Sequence, residues 1–195
     1  MDKFIWVKEN SLDSDFCQHL IDKFLSDNRR HPGIVGSGVV DPKIKQSNDL
    51  NITGIDGWED EDIKLTRILF KTLDEYLEHL RSMNCGEYMR PFPRQESPID
   101  DGHQIQETLP GGFFDWHHDF NYGRRRQNRS LTYIWYLNDV HEDGYTEFFD
   151  GTRIQPQTGK LIFFPATWTH VHRGVAPKTE KKYICTGWLS TALKR

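Results

Sequence analysis

Residues 182–189 read KYICTGWL, and their alternation decides the fold. In an extended chain Lys182, Ile184, Thr186 and Trp188 share one face, and Lys181, Tyr183, Cys185 and Gly187 share the other. β-Branched and aromatic residues at a period of two mark a strand. Two upstream stretches have the same character, LTYIWYL at 131–137 and KLIFF at 160–164. Clusters of Gly, Asn and Asp separate them, as turns between short strands require.

Before Gly102 the period is helical. Residues 3–7 (KFIWV) read as a short strand. Phe16, Leu20, Ile21, Phe24 and Leu25 then predict a helix over 14–27, with Ser11, Asp13 or Ser14 as its cap. Ile63, Arg67, Phe70, Leu73, Leu77 and Leu80 form a stripe that predicts a second helix over 59–83. Residues 29–48, with Pro32, Pro42 and three glycines, read as a loop; residues 84–102, with three prolines, read as irregular chain. Two helices followed by a series of short strands indicate an α+β fold with a mainly β core. The 195 residues fit a single domain: helical support and loops over 1–100, the β core over 101–195.

Composition narrows the function classes. Hydrophobic residues are 36% of the chain and aromatic residues 13%, at a mean hydropathy of -0.72. So ring-rich a chain is folded rather than disordered. Large rings must then fill the core, and the expectation is that they fill the interior of the β core. A net charge of -4 lacks the basic footprint of a nucleic-acid binder. Apolar runs such as 161–164 are too short to span a bilayer, and the N-terminus has no signal-peptide pattern, so no membrane association and a cytoplasmic location are expected. Cys17, Cys85 and Cys185 are odd in number and far apart, which suggests neither a disulfide framework nor a thiolate zinc site.

The metal-ligand types gather in the strand-rich half. His117 and Asp119 form an H-x-D triplet whose side chains share a face, and His170-x-His172 lies downstream. Two histidines and one carboxylate on a facial array, with open positions left over, is the arrangement of non-haem Fe(II) oxygenases. The triplet alone is weak, because about one H-x-D is expected by chance at this composition. A second, His141-x-Asp143, is in fact present. Position adds weight: His117 follows the turn Pro110-Gly111-Gly112, and Lys182 stands ten residues after His172 at the head of a strand. A lysine aimed inward there needs an anionic partner.

The blocks PGGFFDWHHDF, RSLTYIWYLNDV, GYTEFF, IQPQTGKLIFFP, HRGVAP and KYICTGWLS occur in order between about Ile105 and Leu189. This stretch resembles the Fe(II)/2-oxoglutarate-dependent dioxygenases, in particular the prolyl 4-hydroxylase-like branch. The resemblance implies a double-stranded β-helix (a jelly roll, cupin-like) with supporting N-terminal helices. It implies that His117, Asp119 and His172 hold Fe(II) and that Lys182 binds the distal carboxylate of 2-oxoglutarate, helped by Tyr136. O2 is then the second co-substrate, with ascorbate in a supporting part. The implied reaction hydroxylates a C–H bond and releases succinate and CO2. The substrate is a prolyl or other peptide or protein residue, or alternatively a free amino acid or other small molecule. A catalytically inactive jelly-roll binding module is the reading from another class, and the intact His117, Asp119, His172 and Lys182 argue against it.

His170 competes with His172, but ten residues on from His170 stands Glu180, of the wrong charge. Lys181 competes with Lys182, and the resemblance favours the Lys182 face as inward. His118 should then point away from the metal, and His141-x-Asp143 should lie on the solvated surface. The chain departs from the family at Gln106, Glu107 and Thr108, where relatives carry a tyrosine, and at Gly144-Tyr145, where they carry Gly-Gly. Arg124, Arg125 and Arg126 read as a solvated loop or as a lure for an acidic substrate, and Arg129 matches an arginine that opens the YLN strand. Trp116 and Trp188 either line the pocket or pack in the core.

Overall fold

A computed structural model describes residues 2–36, 38–93, 97–120 and 127–192. In chain order the elements are β1 (Trp6–Lys8), α1 (Ser14–Ser26), β2 (His31–Pro32), β3 (Asn48–Asn51), α2 (Glu59–Arg81), β4 (Ile99–Asp100), β5 (Gln104–Thr108), β6 (Phe114–His117), β7 (Gln127–Tyr136), β8 (Thr146–Phe148), β9 (Arg153–Ile154), β10 (Leu161–Pro165), β11 (His172–Gly174) and β12 (Lys182–Ala192). The major sheet runs β1-β10-β7-β12-β5-β3-β2, with β4 also paired to β12; the minor sheet runs β6-β11-β8-β9. All pairings are antiparallel, and the two sheets face each other as a jelly roll.

The alternation along β7, β10 and β12 divides the apolar residues between two cores. Tyr133, Trp135, Phe163, Tyr183, Cys185 and Leu189 face outward and join the helices in one cluster. Ile134, Tyr136, Ile162 and Phe164 face inward and meet Phe148 and Ile154 of the minor sheet. The expectation that the rings fill the barrel is therefore corrected: many fill the layer beneath the helices, and Phe149 is exposed.

The first helix forms as expected, with Asp13 as its N-cap, accepting from the Phe16 amide at 2.8 Å. The second has four acidic residues in its first turn, favourable at the positive end of the helix dipole. Its buried stripe keeps the expected Leu73 and Leu80, with Phe70 and Leu77 packed at its border, and differs elsewhere. Leu65, Leu69, Leu73, Tyr76 and Leu80 face the sheet, whereas Ile63 and Arg67 are exposed. Both rows satisfy helical periodicity, and Tyr76 decides between them by stacking on Phe163 at 5.4 Å.

Residues 29–48 are more than a loop. Asn48–Asn51 is a strand of the major sheet, imposed by pairing with β5 despite its β-poor sequence. Just before it, Gln46 N donates to the Phe113 carbonyl and Asp115 N to the Ile44 carbonyl, each at 2.8 Å. The segment thus crosses from the minor sheet to the major one and closes one side of the barrel.

Candidate active site

His117 ends β6 and His172 begins β11, and the two are register partners across the minor sheet. His117 Nδ1 donates to the Asp115 carbonyl at 2.7 Å, and His172 Nδ1 donates to the His170 carbonyl at 3.0 Å. These bonds place the protons on Nδ1 and leave each Nε2 bare. His117 Nε2 lies 3.9 Å from Asp119 Oδ1, and His172 Nε2 lies 3.7 Å from Asp119 Oδ2. The three residues offer one ligand atom each, all within 4.8 Å of one another. Among the described residues no other such group occurs.

Rings and a hydroxyl pack around them. Phe114 stacks on His117 with centroids 3.6 Å apart, and Phe164 meets His172 edge-on at 4.7 Å. Thr132 Oγ1 donates to Asp119 Oδ2 at 2.7 Å. Burial, then the neighbouring His172, pushes His117 down to about 3. Burial opposes the Asp119 charge, yet His172, His117 and the Thr132 hydroxyl together hold its carboxyl below its usual range. A neutral His117 imidazole beside the ionised Asp119 carboxylate is the ligand state that a divalent metal requires.

The same cavity reaches Lys182, which is buried and donates to the Gly144 carbonyl at 3.0 Å. Burial alone lowers its ammonium to about 8. Among the described residues no carboxylate pairs with it, so it is a buried cation able to take an anion. Gly174 leaves room beside it: a Cβ there would stand 3.4 Å from Lys182 Nζ. Tyr136 is fully buried and is not on the cavity wall; its hydroxyl donates to Thr146 Oγ1 at 2.7 Å, and Thr146 is on the wall.

The competing residues lie elsewhere. His170 Nε2 is 3.3 Å from Asp2 and its ring meets Phe4, tying down the N-terminal segment. Lys181 pairs with Glu107 at 3.1 Å on the helix-facing side. His141 is exposed and pairs with Glu180, while Asp143 pairs with Lys178. Trp116 lies outside the cavity beneath the Arg173 guanidinium, whereas Trp188 lines the cavity with Arg129 3.4 Å above its ring. Gln106 and Thr108 also line it, and Glu107 faces away, toward Tyr183. Arg124, Arg125 and Arg126 lie outside the described residues.

Several wall residues escaped the sequence reading: Lys45, Ser47, Thr132 and Thr146. Thr132 and Thr146 had a usable signal, since alternation along LTYIWY turns Thr132 inward with Ile134, and Thr146 sits in the GYTEFF block. Lys45 and Ser47 had none.

A jelly roll holding two histidines and one carboxylate on one open face defines a class, the facial-triad oxygenases. Residues 103–190, most of the strand-rich half of the chain, match the family model of the 2OG-Fe(II) oxygenase superfamily. No curated protein sequence matches the chain. Solved prolyl hydroxylases share the fold. The viral collagen prolyl hydroxylase of Paramecium Bursaria Chlorella virus-1, in its 2OG complex, is 19% identical at a TM-score of 0.69, over 96% of each chain. A Pseudomonas putida prolyl-4-hydroxylase is 19% identical at 0.66, over 95% of this chain and 91% of that one. A Trichoplax adhaerens prolyl hydroxylase, in complex with a hypoxia inducible factor oxygen degradation domain peptide fragment, is 15% identical at 0.71, over 96% of this chain and 83% of that one.

Proposed function

We propose that the protein is an Fe(II)- and 2-oxoglutarate-dependent dioxygenase that hydroxylates a C–H bond of a prolyl or other peptidyl residue. The observation that carries this reading is the pairing, in one cavity, of the His117–Asp119–His172 face with the buried ammonium of Lys182, which has no carboxylate partner among the described residues. Iron bound on that face would supply the activation of O2, coupling oxidation of 2-oxoglutarate to succinate and CO2 with transfer of one oxygen atom to the substrate.

The chain's own residues have defined parts. His117, Asp119 and His172 hold the metal, and the Asp115 and His170 carbonyls and the Thr132 hydroxyl keep those ligands oriented. Lys182 binds the distal carboxylate of 2-oxoglutarate in a charge-assisted contact worth about 1.5–3 kcal/mol. Thr146, held by Tyr136, supports the same end of the cavity. Phe113, Phe114 and Ile184 keep water from the reacting centre. Ascorbate would support turnover by keeping the iron reduced. The protein is proposed to act as one domain, with a peptide or protein as partner. No helix among the described residues is long and apolar enough to cross a membrane.

The test is succinate release. Protein supplied with Fe(II), ascorbate and 2-oxoglutarate should form succinate slowly without substrate, and faster with a proline-containing peptide. Full activity in both His117→Ala and Asp119→Ala would overturn the metal assignment.

A further inference from the structure

A second buried lysine faces the same cavity. Lys45 comes from the crossing segment that closes the barrel, and its side chain is 4% exposed. Its Nζ lies 2.6 Å from Asp49 Oδ2, and Asp49 is itself 1% exposed. Ser47 Oγ donates to the other carboxylate oxygen at 2.7 Å. The position is built for this chain's lysine. A Cβ on Gly33 would overlap Ser47 Oγ and come 2.9 Å from Lys45 Cε. The ammonium sits 5.0 Å from the centroid of Phe114, the ring that stacks on His117, so Lys45 lines the cavity one ring away from the proposed metal ligands.

The two lysines differ in one respect. Lys182 has a carbonyl partner and no carboxylate, so it has a full charge to offer an anion. Lys45 is already balanced by Asp49, yet among the described residues Asp49 is its sole hydrogen-bond acceptor, for an ammonium with three N–H groups. A carboxylate brought to Lys45 would also approach Asp49, and like charges in a buried wall repel strongly. A neutral carbonyl oxygen takes the spare N–H without that opposition.

We propose that Lys45 is a substrate-positioning residue that grips a neutral carbonyl oxygen of the primary substrate, so that the site selects an amide-linked residue over the corresponding free amino acid. This deepens the oxygenase reading above and rests on it. Asp49 and Ser47 hold the lysine in place and supply the discrimination against a free carboxylate.

The experiment compares two probes, free L-proline and N-acetyl-L-prolinamide, as stimulators of succinate release by the full chain with Fe(II), ascorbate and 2-oxoglutarate. The capped probe should exceed the free one in kcat/KM by about tenfold or more. The double variant Lys45→Met/Asp49→Asn removes both charges, so neither is left stranded in the wall. In it the preference should fall to about one, a change that a merely structural role for the pair would not produce. Equal or greater stimulation by free proline, no response to the capped probe, or a double variant that keeps the wild-type ratio would each overturn the proposal. So would a tenfold rise in the 2-oxoglutarate needed for half-maximal thermal stabilisation of the double variant, which would assign Lys45 to the co-substrate. Failure of the oxygenase reading is seen separately, as no succinate from the wild type before either probe is added.

Discussion

His117 and His172 stand directly opposite each other on adjacent antiparallel strands, with ring centroids 4.3 Å apart. The ladder of the minor sheet thus aligns two proposed ligands that are far apart in the chain. A metal added to the purified protein should raise its melting temperature, by about 2.7 kcal/mol of stabilisation at a hundredfold excess over Kd. Asp119→Ala should abolish the effect. Thermal shift with Mn(II) in place of iron reads it without turnover, and an undiminished shift in the variant would rule out the assigned ligands.

Lys182→Met should raise the 2-oxoglutarate requirement about tenfold to a hundredfold, from loss of a charge-assisted contact of about 1.5–3 kcal/mol. Lys181→Ala should leave that requirement unaltered, because Lys181 pairs with Glu107 on the other side of β12. Titration of 2-oxoglutarate against succinate release compares the two, and the reverse pattern would invert the strand register.

The depressed Lys182 ammonium makes a pH prediction. Its folded pKa, about 8, lies below its ordinary 10.5. Between those values the unfolded chain holds the extra proton, so this group makes stability rise with pH over that window. The charge that 2-oxoglutarate needs is lost over the same window. Affinity should be flat below about pH 8 and then fall by up to about tenfold per unit. Calorimetric titration of wild type and Lys182→Met across the window isolates the effect, since the variant should lose the slope attributable to this residue.

Gly187 lies against the Tyr133 side chain and the Gly102 carbonyl, and a Cβ there would overlap both oxygens. Gly187→Ala should therefore cost about 1–3 kcal/mol through overpacking. Chemical denaturation should show the lower midpoint, and an unchanged midpoint would mean that β12 and β7 can separate freely at this level.

Legibility in the sequence followed the range of the signal. Period-two alternation put Lys182 and Tyr183 on opposite faces, and the resemblance chose the Lys182 face as inward; in the structure Lys182 lines the cavity and Tyr183 packs with the helices. The resemblance put Tyr136 beside Lys182 at the co-substrate but gave no sign that Thr146 would stand between its hydroxyl and the cavity. The stripe on α2 was right at Leu73 and Leu80 and wrong at Ile63 and Arg67, because two overlapping rows fit a 3.6-residue period and a distant ring, Phe163, chooses between them. Lys45 and the strand Asn48–Asn51 were illegible for a related reason. Their local composition is that of a loop, and only pairing with β5 and with the chain at 113–115 gives them structure.

The length of β12 has a consequence of its own. Lys182 and Trp188 both line the cavity from one unbroken strand, six residues apart. At a rise of about 3.3 Å per residue they are separated by roughly 20 Å. The strand is a ruler. It sets how far the proposed carboxylate anchor stands from the opposite end of the cavity, so the reach of any substrate is gauged in whole dipeptide steps along one piece of backbone.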